Sequence, residues 1–170
     1  MLGFIKGKIE IIKKWNYRRQ IKKTCFSCGD RLNVNGASTV NNNTVLGENV
    51  NFNGMTIIGK GKVTIGNNFH SGENCYIITE NHNYDYGDSI PYDSKESVVK
   101  DVVIEDNVWL GIGVIILPGT YIHEGAIVQA GSTVQGNIEE CAIVGGHPAK
   151  VFKFRDKEHY YSLKKEKRFF

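Results

Sequence analysis

The chain lacks any apolar run suited to crossing a bilayer as a helix: in its first segment, where apolar residues are dense, Lys or Arg interrupts every stretch. Those charges also break the apolar centre that a cleavable export signal needs, so a reducing cytoplasm is the expected compartment. Cysteine is scarce. Of the four, Cys25 and Cys28 form a single CxxC, while Cys75 and Cys141 stand alone. Without a second pair a structural zinc site is not expected, and small packing residues are the expected role of all four.

Positive charge is missing where a nucleic-acid footprint would need it. Residues 1–23 hold eight Lys and Arg against Glu10 alone, and residues 150–170 hold eight against three acids. The intervening residues 24–149 hold five basic and fourteen acidic side chains, so the net charge of +3 conceals an acidic body with basic ends. A nucleic-acid partner running along that body is excluded.

What is present in abundance is a repeat. An aliphatic residue recurs at every sixth position (Ile104, Leu110, Ile116, Ile122, Val128, Val134), and Gly or Asn stands three positions after each (Asn107, Gly113, Gly119, Gly125, Gly131, Asn137). The residue after each Gly or Asn is apolar or small: Val108, Val114, Thr120, Ala126, Ser132, Ile138. Each unit therefore offers two inward positions and one suited to positive φ, which Gly and, less readily, Asn adopt cheaply. A period of six fits neither a helix nor a long strand; short strands joined by tight turns satisfy it, giving a β-solenoid. In the first half Leu46, Phe52 and Ile58 keep the phase, one residue is inserted, and Ile65, Ser71 and Ile77 resume it with Asn68 and Asn74 at turns. Between the blocks, residues 81–101 have no repeat and must leave the stack as a loop, where function often resides.

A length of 170 residues with 41% apolar content suits one domain with a core. The segment 1–24 reads as a basic amphipathic helix from the three- and four-residue spacing of Leu2, Ile5, Ile9, Ile12 and Trp15. It either packs on the coil or a neighbouring subunit, or touches an anionic membrane through residues 1–23. The body is assigned to residues 32–150, with the loop at about 83–101, and the basic tail 151–170 is expected to hold a second helix.

The run Ile104-Glu-Asp-Asn-Val-Trp-Leu-Gly-Ile-Gly-Val-Ile-Ile-Leu-Pro-Gly119, followed by the repeats and Val144-Gly-Gly-His-Pro-Ala-Lys-Val151, resembles the hexapeptide-repeat acyltransferases. More narrowly it is similar to the galactoside, maltose and capsule or O-antigen O-acetyltransferases, over roughly residues 32–153. The resemblance implies an all-β, left-handed parallel β-helix. It also implies a homotrimer with acetyl-CoA and a sugar or polysaccharide acceptor in clefts between subunits, and no metal. Acceptors of a bacterial capsule or O-antigen glycan, or its precursor, are the expectation.

The matched context places His82, in Ile77-Ile-Thr-Glu-Asn-His-Asn-Tyr-Asp85, where the family carries its general base. Acetyl transfer from a thioester to a hydroxyl needs such a base, and neutral imidazole is matched to it. Asp85 is a candidate to orient that imidazole, as a carboxylate commonly does, or else a solvated loop acid. By resemblance Trp109 lines the cleft near the pantetheine arm, the backbone at Ile112 and Ala130 bonds that arm, and Lys150 and Lys153 meet the phosphates. A lysine common in relatives is replaced by Gln135-Gly136. Asn53, in Asn51-Phe-Asn53, matches a sugar-binding Asn, and Tyr84 belongs to a loop whose aromatic and carboxylate mixture suits carbohydrate. His70, His123, His147 and His159 are expected at turns or the surface. Three alternatives stay open: N-acetylation of an amino sugar, acetylation of a serine-type hydroxyl, and a metal-dependent or non-catalytic coil.

Overall fold

The computed structural model describes residues 2–170, with side chains from residue 7 onward apart from Ser94. The coil closes because residues one turn apart meet as parallel neighbours. Ser27 lies beside Val45, Val45 beside Thr64, Thr64 beside Val103 and Val103 beside Tyr121, stacking short strands into flat faces. The first face has six strands: Ser27–Cys28, Thr44–Leu46, Val63–Ile65, Val102–Ile104, Tyr121–Ile122 and Asn137–Ile138. The second runs Leu32–Val34, Val50–Phe52, His70–Ser71, Trp109–Leu110, Ile127–Val128, Ala142–Gly146, then Ala149–Phe154, which returns antiparallel. The third holds Met55–Ile58, Cys75–Ile78, Ile115–Ile116 and Thr133–Val134.

The periodic residues fill the coil. Ile104, Leu110, Ile116, Ile122, Val128 and Val134 are wholly buried, and the residue after each Gly or Asn is buried with them. Asn68, Asn74, Asn107, Gly113, Gly119, Gly125 and Gly131 carry the positive φ that the turns require. Two parts of the expected phase are corrected. Ile57, not Ile58, takes the core position opposite Ile77, being 3% exposed against 46% for its neighbour. The turn after Phe52 is one residue short there, with Gly54 at φ 140°. At the other end Asn137 is a strand residue opposite Tyr121, because Gly136 (φ 82°) closes that turn early.

The inserted stretch leaves the stack as expected but is more ordered than a loop. Glu80–Asn83 and Asp93–Val99 pair as an antiparallel hairpin, and residues 84–92 form its tip.

At the start, α1 (Leu2–Thr24) is helical, but the expected apolar stripe is not found. Ile9, Ile11, Ile12 and Trp15 are all exposed, and with a 3.6-residue turn Ile11 projects opposite to Ile9 while Lys and Arg fall on every side. Leu2 and Ile5, the first members of that stripe, have side chains outside the described residues. The helix is anchored at its end: Ile21 is fully buried and Tyr17 half-buried against the coil end at Leu32–Val34.

At the other end α2 (Lys157–Lys165) starts at Asp156, whose carboxylate accepts from the His159 amide at 3.0 Å. It lies across the corner between the first and second faces. The Tyr160 hydroxyl donates to Glu124 (2.8 Å) and accepts from the Asn107 amide (3.0 Å), and Lys164 pairs with Glu124 at 2.6 Å. Burial, then this carboxylate acceptor, pushes the Tyr160 phenol well above its ordinary range. The last residues run back over the second face, where the Phe170 carbonyl accepts from Asn49 at 2.6 Å.

Candidate active site

His82 sits on the first arm of the hairpin, opposite Ser97 on the second. Alternation along a strand sends Glu80 and His82 to one side and Asn81 and Asn83 to the other. The imidazole is exposed and lies flat on the Tyr92 ring, with centroids 3.8 Å apart and planes 13° from parallel. Tyr92 is delivered there by its neighbour Asp93, a buried carboxylate that accepts from the amides of Lys95 (2.7 Å) and Asp88 (3.2 Å) and so pins the hairpin tip. Those amide bonds hold the Asp93 carboxyl below its usual range. His82 and Glu80 border a hollow of about 270 Å³ with Ile58, Ile78 and Ser97. Glu80 accepts from the Ser97 hydroxyl and pairs with Lys60 at 3.1 Å, which keeps it ionised by lowering its pKa.

Asp85 is not brought to His82. It borders a different hollow, also of about 270 Å³, with Tyr84, Lys100, Leu117 and Gln135. The carboxylate on the imidazole's side of the arm is Glu80.

Trp109 stands half exposed (50%) in the middle of the second face, directly between His70 and Ile127. Ile112 and Ala130 are exposed at the corner leading to the third face. The coils approach closely there: a Cβ on Gly111 would lie 2.5 Å from the Ala130 nitrogen, and one on Gly72 2.5 Å from that of Ile112. The Ile112 carbonyl accepts from the Gly131 amide (2.8 Å), so its N–H is the group that could meet a ligand. Lys150 and Lys153 are exposed on the returning strand, opposite Gly145 and Ile143. Trp109, Ile112, Ala130 and the two lysines thus follow one another towards the C-terminal end of the coil.

Asn53 lies the other way, and its amide is already engaged. Its oxygen accepts from Asn35 (3.0 Å), its nitrogen donates to the Ser71 carbonyl (2.8 Å), and that nitrogen is 3.2 Å from His70 Nε2. The neighbouring Asn51 lines a hollow of about 520 Å³ with His70, Trp109, Arg155, Arg168 and Phe170, roofed by α2 and the tail. Sequence reasoning set His70 aside, read Tyr92 only as part of the loop suited to carbohydrate and not as the partner of His82, and missed the tail. His70 was legible: it precedes the inward Ser71 as Trp109 precedes the inward Leu110, so the two align once the inserted stretch is removed. Among the described residues no group of His, Cys, Asp and Glu could hold a metal ion.

The comparisons agree with the repeat and the coil. Residues 101–136 match the family described as bacterial transferase hexapeptide (six repeats). The Escherichia coli K12 protein WbbJ, named for lipopolysaccharide biosynthesis O-acetyl transfer, is 38% identical over 97 residues, 54% of this chain and 50% of that one. Galactoside O-acetyltransferase of Lactococcus lactis is 35% identical over 104 residues, 59% of this chain and 47% of that one. Among solved structures, a galactoside acetyltransferase in complex with coenzyme A superposes with a TM-score of 0.70 at 26% identity, covering 82% of this chain and 70% of that one. Repeat and coil together make the body a hexapeptide-repeat β-helix, similar to the O-acetyltransferases of that family. The chain spans about half the length of the curated relatives it matches.

Proposed function

We propose that this chain moves an acetyl group from acetyl-CoA to a hydroxyl of a sugar, within a bacterial capsule or O-antigen glycan or its precursor, with His82 as general base. The observation that carries the reading is the exposed imidazole held flat by Tyr92 on a pinned hairpin, in a coil similar to O-acetyltransferases. A free imidazole nitrogen takes the hydroxyl proton as the oxygen attacks the thioester carbonyl. The oxyanion that forms is met by a backbone N–H, for which the corner amide at Ile112 is the candidate. Collapse expels the thiolate of coenzyme A, which recovers the proton from the imidazolium, so protons and charge balance. Tyr92 acts as a positioning residue, because a ring stacked on the imidazole restricts its rotation. Donor contacts and His82 lie apart within one chain, which supports a homotrimer in which the hairpin of one subunit reaches the Trp109 face of the next. The basic, exposed N-terminal helix fits an enzyme working in the cytoplasm beside an anionic membrane.

The test is kinetic. His82→Ala is expected to lower kcat by about 100-fold or more, the range for losing a general base, with coenzyme A affinity little changed. Trp109→Ala should instead raise the donor KM. Near-native acetyl transfer by a folded His82→Ala protein would remove the base from the mechanism.

A further inference from the structure

Trp109 divides the second face into two directions. Towards the C-terminal coils lie the proposed donor contacts at Ile112, Ala130, Lys150 and Lys153; towards the N-terminal coils lies the hollow over His70 and Asn51, roofed by α2 and the tail. We infer that the hollow holds the acceptor by a diphosphate, so that the enzyme acts on a diphosphate-linked sugar precursor and not on a free sugar or finished polymer. This rests on the acetyl-transfer reading above.

The chemistry of the hollow is that of donors and cations. The carbonyl oxygens of the asparagines beneath it are consumed by the stacking of the coils: Asn33 donates to Asn51 (3.0 Å), Asn49 to Asn68 (3.1 Å) and Asn68 to Asn107 (2.9 Å). His70 is also held as a donor. The Ser71 carbonyl can only accept, so the Asn53 atom 2.8 Å from it is the amide nitrogen. That same nitrogen faces His70 Nε2 at 3.2 Å, so Nε2 must accept and Nδ1 carries the hydrogen. Asn53 therefore serves by setting the tautomer of His70.

No Asp or Glu side chain lines the hollow, whereas Arg155, Lys164 and Arg168 do. Lys164 is paired with Glu124 (2.6 Å) and Arg168 with Glu166 (2.8 Å). Arg155 is fixed through Nε to the Gly125 carbonyl (2.6 Å), its guanidinium lies over the Tyr160 ring, and it has no carboxylate partner among the described residues. A guanidinium fork fixed at one nitrogen and unneutralised at the others suits phosphate oxygens, which it can meet at two points. Trp109, Phe169 and Phe170 supply flat apolar surface for a sugar ring, and about 520 Å³ is room for a ligand of that size.

Calorimetry on the full chain tests this, with inorganic pyrophosphate, uridine diphosphate and farnesyl diphosphate titrated while coenzyme A is saturating. Saturation matters because coenzyme A carries a diphosphate of its own. Binding is expected in its presence and should weaken at least 10-fold in Arg155→Ala, with coenzyme A affinity kept within about 2-fold. Arg155→Lys, which keeps the charge and loses the fork, serves where the alanine variant fails to fold and should weaken binding at least 3-fold. Tighter binding of uridine diphosphate than of pyrophosphate identifies a nucleotide-linked acceptor, and tighter binding of farnesyl diphosphate a lipid-linked one. Loss of all diphosphate binding when coenzyme A is bound would give the hollow to the donor and overturn the inference. So would binding by folded Arg155 variants equal to that of the native chain. Should diphosphate binding depend on Arg155 while no acetyl transfer to any sugar is found, the catalytic reading fails and the binding site stands. Acetylation of simple methyl glycosides, undiminished in Arg155→Ala, would have the opposite meaning.

Discussion

Gly125 and Gly131 form a matched pair that separates two reasons for a glycine. Both have φ 70°, both close a turn of the coil, and they differ in what a side chain would meet. A Cβ on Gly131 meets nothing within 4 Å. One on Gly125 would lie 2.8 Å from the Tyr160 ring, 3.0 Å from its hydroxyl and 3.1 Å from the Cys141 sulfur. Tyr160 cannot swing aside without releasing its bonds to Glu124 and Asn107, which hold α2 on the coil. Gly131→Ala therefore loses only the left-handed backbone preference, about 1–2 kcal/mol. Gly125→Ala loses that and about 1–3 kcal/mol more for overpacking. At about 3 °C per kcal/mol for a chain of this size, Gly131→Ala should lower Tm by about 3–6 °C and Gly125→Ala by about 6–15 °C. Differential scanning calorimetry at one protein concentration reads both. Diphosphate binding should fall only in the Gly125 variant, because only there is the roof of the hollow displaced. Equal losses of Tm in the two variants would refute the claim that α2 is seated by the close approach at Gly125.

Light scattering should give a trimer mass at working concentration, and a stable monomer would defeat the proposed shared site. Ser71→Ala should raise Tm, because the Ser71 hydroxyl is buried with no partner among the described residues and its removal returns about 1–3 kcal/mol of desolvation; an unchanged or lower Tm would show that the hydroxyl is satisfied. Stability should fall on acidification: the Tyr121 hydroxyl, 2.6 Å away, holds the Glu105 carboxyl below its ordinary value of 4.5. A carboxyl lowered in the folded state stabilises above the unfolded value and loses that contribution as pH falls through the folded one. Tm should thus decline below about pH 4.5 and decline less steeply in Glu105→Gln, as read by thermal melts across that range. Removing residues 1–20 should weaken sedimentation with anionic vesicles at low salt while sparing turnover; vesicles ignored by the full chain would make the helix purely structural.

The coil was legible because its signal is local and repeated: the same pair of inward positions and the same turn residue return every six positions, and each unit confirms the last. The phase failed where one turn changed length. Ile57 and Ile58 are equally apolar, and only the short turn at Gly54 decides which of them faces inward. At Asn137 a residue well suited to a turn was placed in a strand, because Gly136 one position earlier had already reversed the chain. The N-terminal helix was legible as a helix, but the spacing of a chosen five apolar residues concealed Ile11 and the charges between them.

The candidate site was legible in proportion to how far its residues lean on the repeat. Trp109 breaks the aliphatic pattern inside a regular block, so its outward place could be read directly. His82 stands outside the repeat, and its neighbours in space are set by the hairpin register, which brings Ser97 opposite and Tyr92 onto its ring while sending Asp85 elsewhere. The place of His70 on the second face could be read from the repeat, but its role, like that of Arg155, lies further out of reach. His70 gains its meaning from an asparagine one coil below that fixes its tautomer, and Arg155 from a carbonyl thirty positions earlier that fixes its fork. Each is a side chain that looks like a surface residue along the sequence and becomes a directed donor only when the coils are stacked. It follows that substitutions in the asparagine ladder should act on function through direction as well as through stability. Asn53→Asp is the sharpest case: an acidic oxygen would then face His70 Nε2, which would have to take the hydrogen, leaving Nδ1 an acceptor or the ring charged. Acceptor KM should rise with coenzyme A affinity nearly unchanged, and Tm should fall as well, because the same oxygen would face the Ser71 carbonyl at 2.8 Å in place of the amide donor. An acceptor KM equal to that of the native chain would show that His70 does not touch the acceptor.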